Sequence, residues 1–236
     1  VYQFGADNFL PETYTTGVAD KSNFDDPAVL NCLQKIADLI YVDKVHPTPA
    51  ENKSLSQMGP IFKTGRVAMA TTLPTQAYGN FKDVPFEWGL APLPSAGSSK
   101  GIVFNGAWFI AKQSKAPETA WALIKYLNTS ENAKDMMDIT GFLIPKKEAV
   151  DSWVKLMSKT TKMTEDQIKE AVMGYPKGSI ENINHLFCGY PEIATVYQQG
   201  LDALWLGKVD AKTAVANFKG KLDETMARIK NTVASQ

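Results

Sequence analysis

Phe62-Lys63-Thr64-Gly65-Arg66-Val67-Ala68-Met69-Ala70 reads, within nine residues, as the end of a helix, a glycine stop and the start of a buried strand. Glycine stops a helix well because the left-handed residue just past the last turn has no Cβ to clash. The apolar run after Arg66 is too short for a helix of its own and suits a strand covered on both faces.

Upstream, the helix leading into this stretch is expected over residues 54–63, with Gly59-Pro60 as a point of kinking or restart. Asp26 followed by Pro27 is a strong helix start, and Val29, Leu33, Ile36 and Ile40 then line one face. Residues 1–24 read as irregular, broken by Gly5, Pro11 and Gly17. Downstream, residues 66–72 and 86–92 are strand candidates joined by a loop that holds Pro74, Tyr78 and Gly79. Residues 95–101 have the small, flexible composition of a linker, and 102–111 form a third strand.

Pro117 opens a helix carrying Ala120, Leu123, Ile124 and Leu127, and Ser130 caps another. Helices follow at 146–158 and 165–173, the latter announced by the capping box Thr164-x-x-Gln167. Two long helices, 191–206 and 211–231, close the chain, with Asp210 capping the last. Trp121 and Trp205 sit inside helical patterns and are expected in the core. Strands alternating with helices give an α/β class, a small mixed sheet flanked by helices.

The bulk properties argue against several functions without excluding them. The 236 residues carry 25 Lys+Arg against 25 Asp+Glu, so no net basic charge favours nucleic acid. No apolar run approaches the ~18–20 residues of a membrane span. His46 and His185 stand apart with no ligand-like neighbours, so no metal site is expected. GxSxG, GxGxxG and P-loop motifs are absent, and no cofactor is expected. Paired acids such as Asp25/Asp26 and Glu165/Asp166 lie at helix starts, where the dipole favours them. Cys32 falls in an apolar helical pattern and reads as a small buried hydrophobe; spacing leaves open whether it pairs with Cys188.

Aromatic residues are the more suggestive signal: five Trp, eight Tyr and eleven Phe, several beside turn residues. Tyr78 precedes Gly79, Trp108 follows Gly106 by two, and Tyr190 precedes Pro191. Such rings either fill a core or face a cleft, where they stack on the C–H faces of a sugar while amides and acids take its hydroxyls.

Taken in order, the opening stretch, Trp88-Gly89-Leu90-Ala91-Pro92-Leu93-Pro94, Asn105-Gly106-Ala107-Trp108-Phe109-Ile110-Ala111, Pro117-Glu118-x-Ala120-Trp121-x-Leu123-Ile124-x-Tyr126-Leu127 and Gly141-Phe142-Leu143-Ile144-Pro145 resemble the extracellular solute-binding proteins of ABC importers, the maltose-binding-protein family. The resemblance runs from about Tyr2 to Ile229. It implies periplasmic-binding-protein-like α/β lobes with ligand held between them, and a chain whose Val1 aligns past the family's N-terminus, so that the first lobe is largely missing. Residues 1–98 and 146–236 would build the second lobe, and 99–145 would return to the first.

The implied function is capture of a sugar or oligosaccharide and its delivery to ABC permease membrane subunits, without catalysis. The implied location is extracytoplasmic, in the periplasm or at the cell surface as a lipoprotein. The alternatives are a carbohydrate hydrolase or lyase using a carboxylate pair, or a ligand-sensing module of the same fold outside transport. Polyamine, metal-chelate and phosphate-ester ligands stay open within the family. Carried over by position, the ligand-facing residues are Thr75, Gln76, Tyr78, Asn105, Gly106, Trp108, Tyr190 and Tyr197. Thr75 or Gln76 stands where the family's maltodextrin binder has a tryptophan, so the ligand need not be a maltodextrin.

Overall fold

A computed structural model describes residues 1–57, 59–98, 101–103, 108–143, 146–173, 180–181 and 187–235. By internal contacts the chain divides into two compact units: Val1–Ser54, Leu93–Asn105 and Pro176–Gln236 form the first, and Leu55–Pro92 and Gly106–Tyr175 the second.

The first unit is held by helices α2 (Pro27–Tyr41), α9 (Tyr190–Trp205) and α10 (Ala211–Ala234). Asp26 caps α2, its side chain accepting from the amides of Ala28 at 2.8 Å and Val29 at 3.4 Å. Asp210 caps α10 through the Thr213 amide at 2.7 Å. The apolar stripe of α10 is buried: Val215, Phe218, Leu222, Met226 and Ile229 pack with Val29 and Leu33 of α2 and Ile193 and Leu204 of α9. Phe9, Phe24, Phe187 and Phe218 join edge to face, with centroids 4.9–6.1 Å apart.

Residues 1–24 are more ordered than their breakers suggest. Pro11 opens a short helix, α1 (Pro11–Thr16), and Phe9 bridges Ser22 antiparallel. Ser22 is tied to α10, its amide and hydroxyl donating to Asp223 Oδ1 at 2.6 and 2.9 Å. Cys32 is buried, Cys188 exposed, and both are free thiols.

The second unit is helical: α4 (Pro74–Phe81), α5 (Pro117–Leu127), α6 (Ser130–Thr140), α7 (Lys147–Thr161) and α8 (Glu165–Met173). Its core joins Ala77, Phe81, Met137, Trp153, Met157 and Ile168. The buried Trp153 Nε1–H donates to the Gly141 carbonyl at 2.9 Å. The capping box before α8 forms as read: Thr164 N donates to Gln167 Oε1 at 2.9 Å, and Gln167 N to Thr164 Oγ1 at 3.2 Å.

Four expectations are corrected. The helix expected over 54–63 is α3 (Pro49–Ser56), then a break at Gly59-Pro60, then a 3₁₀ turn Ile61–Thr64; Gly65 does close that turn, with φ +69°. The loop around Pro74 and Tyr78 is a helix, because Pro74 supplies a helical first residue. Residues 66–72 and 86–92 form no ladder. Among the described residues the sheet is one parallel pair, β1 (Ile102–Val103) with β2 (Ile180–Glu181), in register Ile102↔Ile180. A strand needs a neighbour, and Met69 is 88% exposed where burial was expected. Trp121 is 50% exposed and lies on the surface of α5, not in a core.

Candidate ligand-binding site

Tyr190 and Tyr197 open α9 seven residues apart, two turns of one helix face. Their hydroxyls meet at 2.8 Å. Phe24 lies behind Tyr197 at 5.3 Å and Phe187 behind Tyr190 at 6.4 Å. The rings therefore stand on the core of the first unit with their hydroxyls at its rim. Burial raises the Tyr197 pKa, and the bond to Tyr190 adds to the effect.

A second tyrosine pair belongs to the same unit. Tyr14 donates to Asp7 Oδ1 at 2.5 Å, and the Tyr2 and Tyr14 hydroxyls meet at 3.0 Å. The carboxylate can only accept, so Tyr14's single proton points at Asp7. Tyr2 must then donate to Tyr14, which leaves the Tyr2 oxygen as an acceptor. Asp7 Oδ1 also accepts the Phe9 amide at 3.1 Å. Burial, then the bonds to Asp7 and Tyr2, push the Tyr14 hydroxyl far above the usual phenol range. Tyr2 is raised by burial and feels both Asp7 and Tyr190, which brings the two pairs within electrostatic reach of each other. Next to Asp7 in sequence, the buried Asn8 Oδ1 has no hydrogen-bond donor among the described residues.

Of the eight residues read from sequence, Tyr190 and Tyr197 thus come together. Thr75, Gln76 and Tyr78 share α4 in the second unit, with Gln76 exposed and Thr75 and Tyr78 half-buried. Tyr78 is engaged inside its own unit: its ring covers Gly141, and Lys82 Nζ lies 5.7 Å from the ring centroid. Trp108, 59% exposed, belongs to the same unit, but among the described residues no hydrogen bond or ring contact joins it to α4. Asn105 and Gly106 lie outside the described residues. Sequence reasoning missed Tyr2, Asp7, Asn8 and Tyr14, which read as scattered residues of an irregular segment. The short spacing from Asp7 to Tyr14 was visible, but the Phe9–Ser22 bridge that folds it back was not.

Among the described residues no three His, Cys, Asp or Glu side chains gather as a metal site, and no helix is long and apolar enough to cross a membrane.

Residues 2–167 match the model of a family described as bacterial extracellular solute-binding protein. No curated protein sequence matches the chain. Among solved structures, the chain is similar to an ABC substrate-binding protein from Listeria monocytogenes in complex with cycloalternan. The TM-score is 0.69 at 18% identity, over 95% of this chain and 54% of that one. It is also similar to the cyclic alpha-maltosyl-1,6-maltose binding protein from Arthrobacter globiformis, with TM-score 0.57 at 15% identity, over 96% of this chain and 54% of that one. The chain therefore spans about half the length of these solved structures, which share its fold.

Proposed function

Because the chain belongs to the bacterial extracellular solute-binding proteins, we propose that it captures a sugar or oligosaccharide outside the cytoplasm for delivery to an ABC permease. The observation that carries the carbohydrate reading is the tyrosine rim. Four hydroxyls and the Asp7 carboxylate gather over rings whose apolar bodies are anchored in the core. A polyol supplies the donor that the Tyr2 oxygen lacks, and aromatic faces suit its C–H surfaces. Both solved structures reported above bind cyclic oligosaccharides, by the names they carry.

The mechanism we infer is capture by lobe closure: a ligand that touches both lobes favours the closed arrangement. In it, Thr75, Gln76, Tyr78 and Trp108, with Asn105 and Gly106, face the ligand alongside Tyr190 and Tyr197. Residues 1–98 and 146–236 serve one lobe and 99–145 the other. The exposed Trp121, Leu123 and Tyr126 of α5 pack on first-lobe surface. Capture without chemistry is favoured over the hydrolase alternative by the family match and by the binding roles in the names of the similar solved structures.

The test is a thermal-shift screen of saccharides, polyamines and phosphate esters, each followed by chromatography of the ligand. Ligand at ~100 times its Kd adds about 2.7 kcal/mol, a rise of roughly 5–11 °C for a chain of this size. A rise with an intact oligosaccharide supports the reading. A rise only with polyamines or phosphate esters refutes the sugar assignment, and cleavage of the sugar refutes capture without chemistry.

A further inference from the structure

The first unit holds a pocket of about 550 Å³ at the other end of α9 from Tyr190. Fifteen residues of helix separate Tyr190 from Trp205, about 22 Å along the axis. Ile36 and Ile40 of α2, Trp205 and Leu206 at the end of α9, and the rings of Pro47 and Pro49 make its walls. Ile36 and Leu206 are 37% and 51% exposed, so the empty pocket holds apolar surface in water.

Three polar side chains line it: His46, Asn52 and Asp202. The Asn52 and Asp202 side chains make no hydrogen bond among the described residues, and Asp202 makes no ion pair. His46 Nδ1 lies 2.8 Å from the Pro47 carbonyl. That nitrogen therefore carries a proton and donates it to the carbonyl. No Lys or Arg lines the pocket.

We propose that this pocket is a second ligand site, for a small organic ammonium with an apolar or aromatic body. The Asp202 carboxylate decides the class. Covering it with a neutral ligand strips its water without return, whereas an ammonium offsets that cost and forms a charge-assisted hydrogen bond. The Asn52 amide oxygen can accept from the same head group. The walls take the apolar body, and an indole face attracts a cation. The volume falls within the ~300–1,000 Å³ of small-molecule pockets. A saccharide is the weaker match, since five of the six wall residues are aliphatic or proline side chains placed around one indole, and aliphatic walls leave its hydroxyls unpaired. The site shares no residue with the tyrosine rim, so it stands or falls apart from the proposed transport function.

The experiment is fluorine NMR on the whole chain labelled with 5-fluorotryptophan. The five tryptophans give five signals, and Trp205→Phe assigns one of them. The probes are phenethylammonium chloride, its neutral isostere 2-phenylethanol, and maltotriose. Phenethylammonium should shift the Trp205 signal saturably, and 2-phenylethanol should bind about three- to fivefold more weakly, the worth of one partly exposed charge pair. Asp202→Asn should abolish that difference while the far-ultraviolet circular dichroism and the Tm of the chain stay in place, which certifies the fold. Three results overturn the proposal: no saturable shift at Trp205, equal binding of amine and alcohol to the unmodified chain, or saturation of the Trp205 signal by maltotriose.

Discussion

Gly200→Ala tests the packing of α9, which carries Tyr190 and Tyr197 of the rim, against α10. Gly200 lies in α9, and a Cβ built there would sit 2.4 Å from both Cβ and Cγ of Phe218 on α10. Phe218 is 5% exposed and stacked on Phe24 at 5.3 Å, so its ring has nowhere to swing. Carbon atoms rest about 3.5–4.0 Å apart, so relief requires the helices to separate by more than ~1 Å. Overpacking of this kind costs about 1–3 kcal/mol, and contact with atoms close to the backbone puts this case toward the upper end. Alanine returns about 1 kcal/mol through its better helix propensity. The net is a loss of about 1–2 kcal/mol, or a fall in Tm of roughly 2–8 °C. Gly220→Ala is the internal control: it sits on α10 with nothing within 4 Å, so only the propensity gain applies and the variant should be stabilised. Urea unfolding followed by circular dichroism gives both values. A Gly200→Ala chain as stable as the unmodified one would refute the close approach of α9 and α10.

Three further outcomes are expected. Trp153→Phe leaves the buried Gly141 carbonyl without its donor and should cost about 1–3 kcal/mol in urea unfolding; a smaller loss would show that the bond is not made. Asp26→Ala removes the cap of α2 and should cost about 1 kcal/mol by the same assay, with Asp26→Asn near neutral. Tyr2, Tyr14 and Tyr197 all have raised pKa values, so the folded chain binds more protons than the unfolded one above pH ~10. Their stabilisation is complete below that pH and is lost as pH rises toward the folded values. Absorbance at 295 nm should therefore show these tyrosines ionising late, together with unfolding, and Tyr14→Phe should flatten the alkaline fall in Tm. Ionisation of all eight tyrosines near pH 10 without unfolding would contradict the burial of their hydroxyls.

What could be read from the sequence was chemistry within a few residues of itself. The caps Asp26, Thr164 with Gln167, and Asp210 act on amides two or three positions away, and all three form. The pairing of Tyr190 with Tyr197 is legible for the same reason, since two helical turns bring them onto one face. What failed depended on a distant partner. Residues 66–72 have strand composition, but a ladder needs a second strand in register. The α5 pattern shows which face is apolar but not whether anything covers it, and Trp121 proved exposed. The Asp7–Tyr14–Tyr2 chain was hidden behind the fold of residues 1–24, which rests on the Phe9–Ser22 bridge and on Asp223, 201 residues beyond Ser22.

The rim also dictates how its function has to be probed. Tyr14, Tyr190 and Tyr197 pack against the same cluster that contains Phe9, Phe24, Phe187 and Phe218. Truncating any of them to alanine removes apolar contact from that core, at a cost that would mask a binding defect. Tyrosine to phenylalanine keeps the ring and deletes only the oxygen. Tyr2→Phe removes the acceptor oxygen offered to a ligand donor. Tyr14→Phe instead takes the donor from Asp7 and leaves Tyr2 free to rotate its proton outward, which turns a fixed acceptor into a donor. If the rim reads ligand hydroxyls by direction, these two substitutions should change saccharide preference in different ways at nearly equal stability. If the rim is only the edge of the core, both should leave ligand selection where it was and act on stability alone.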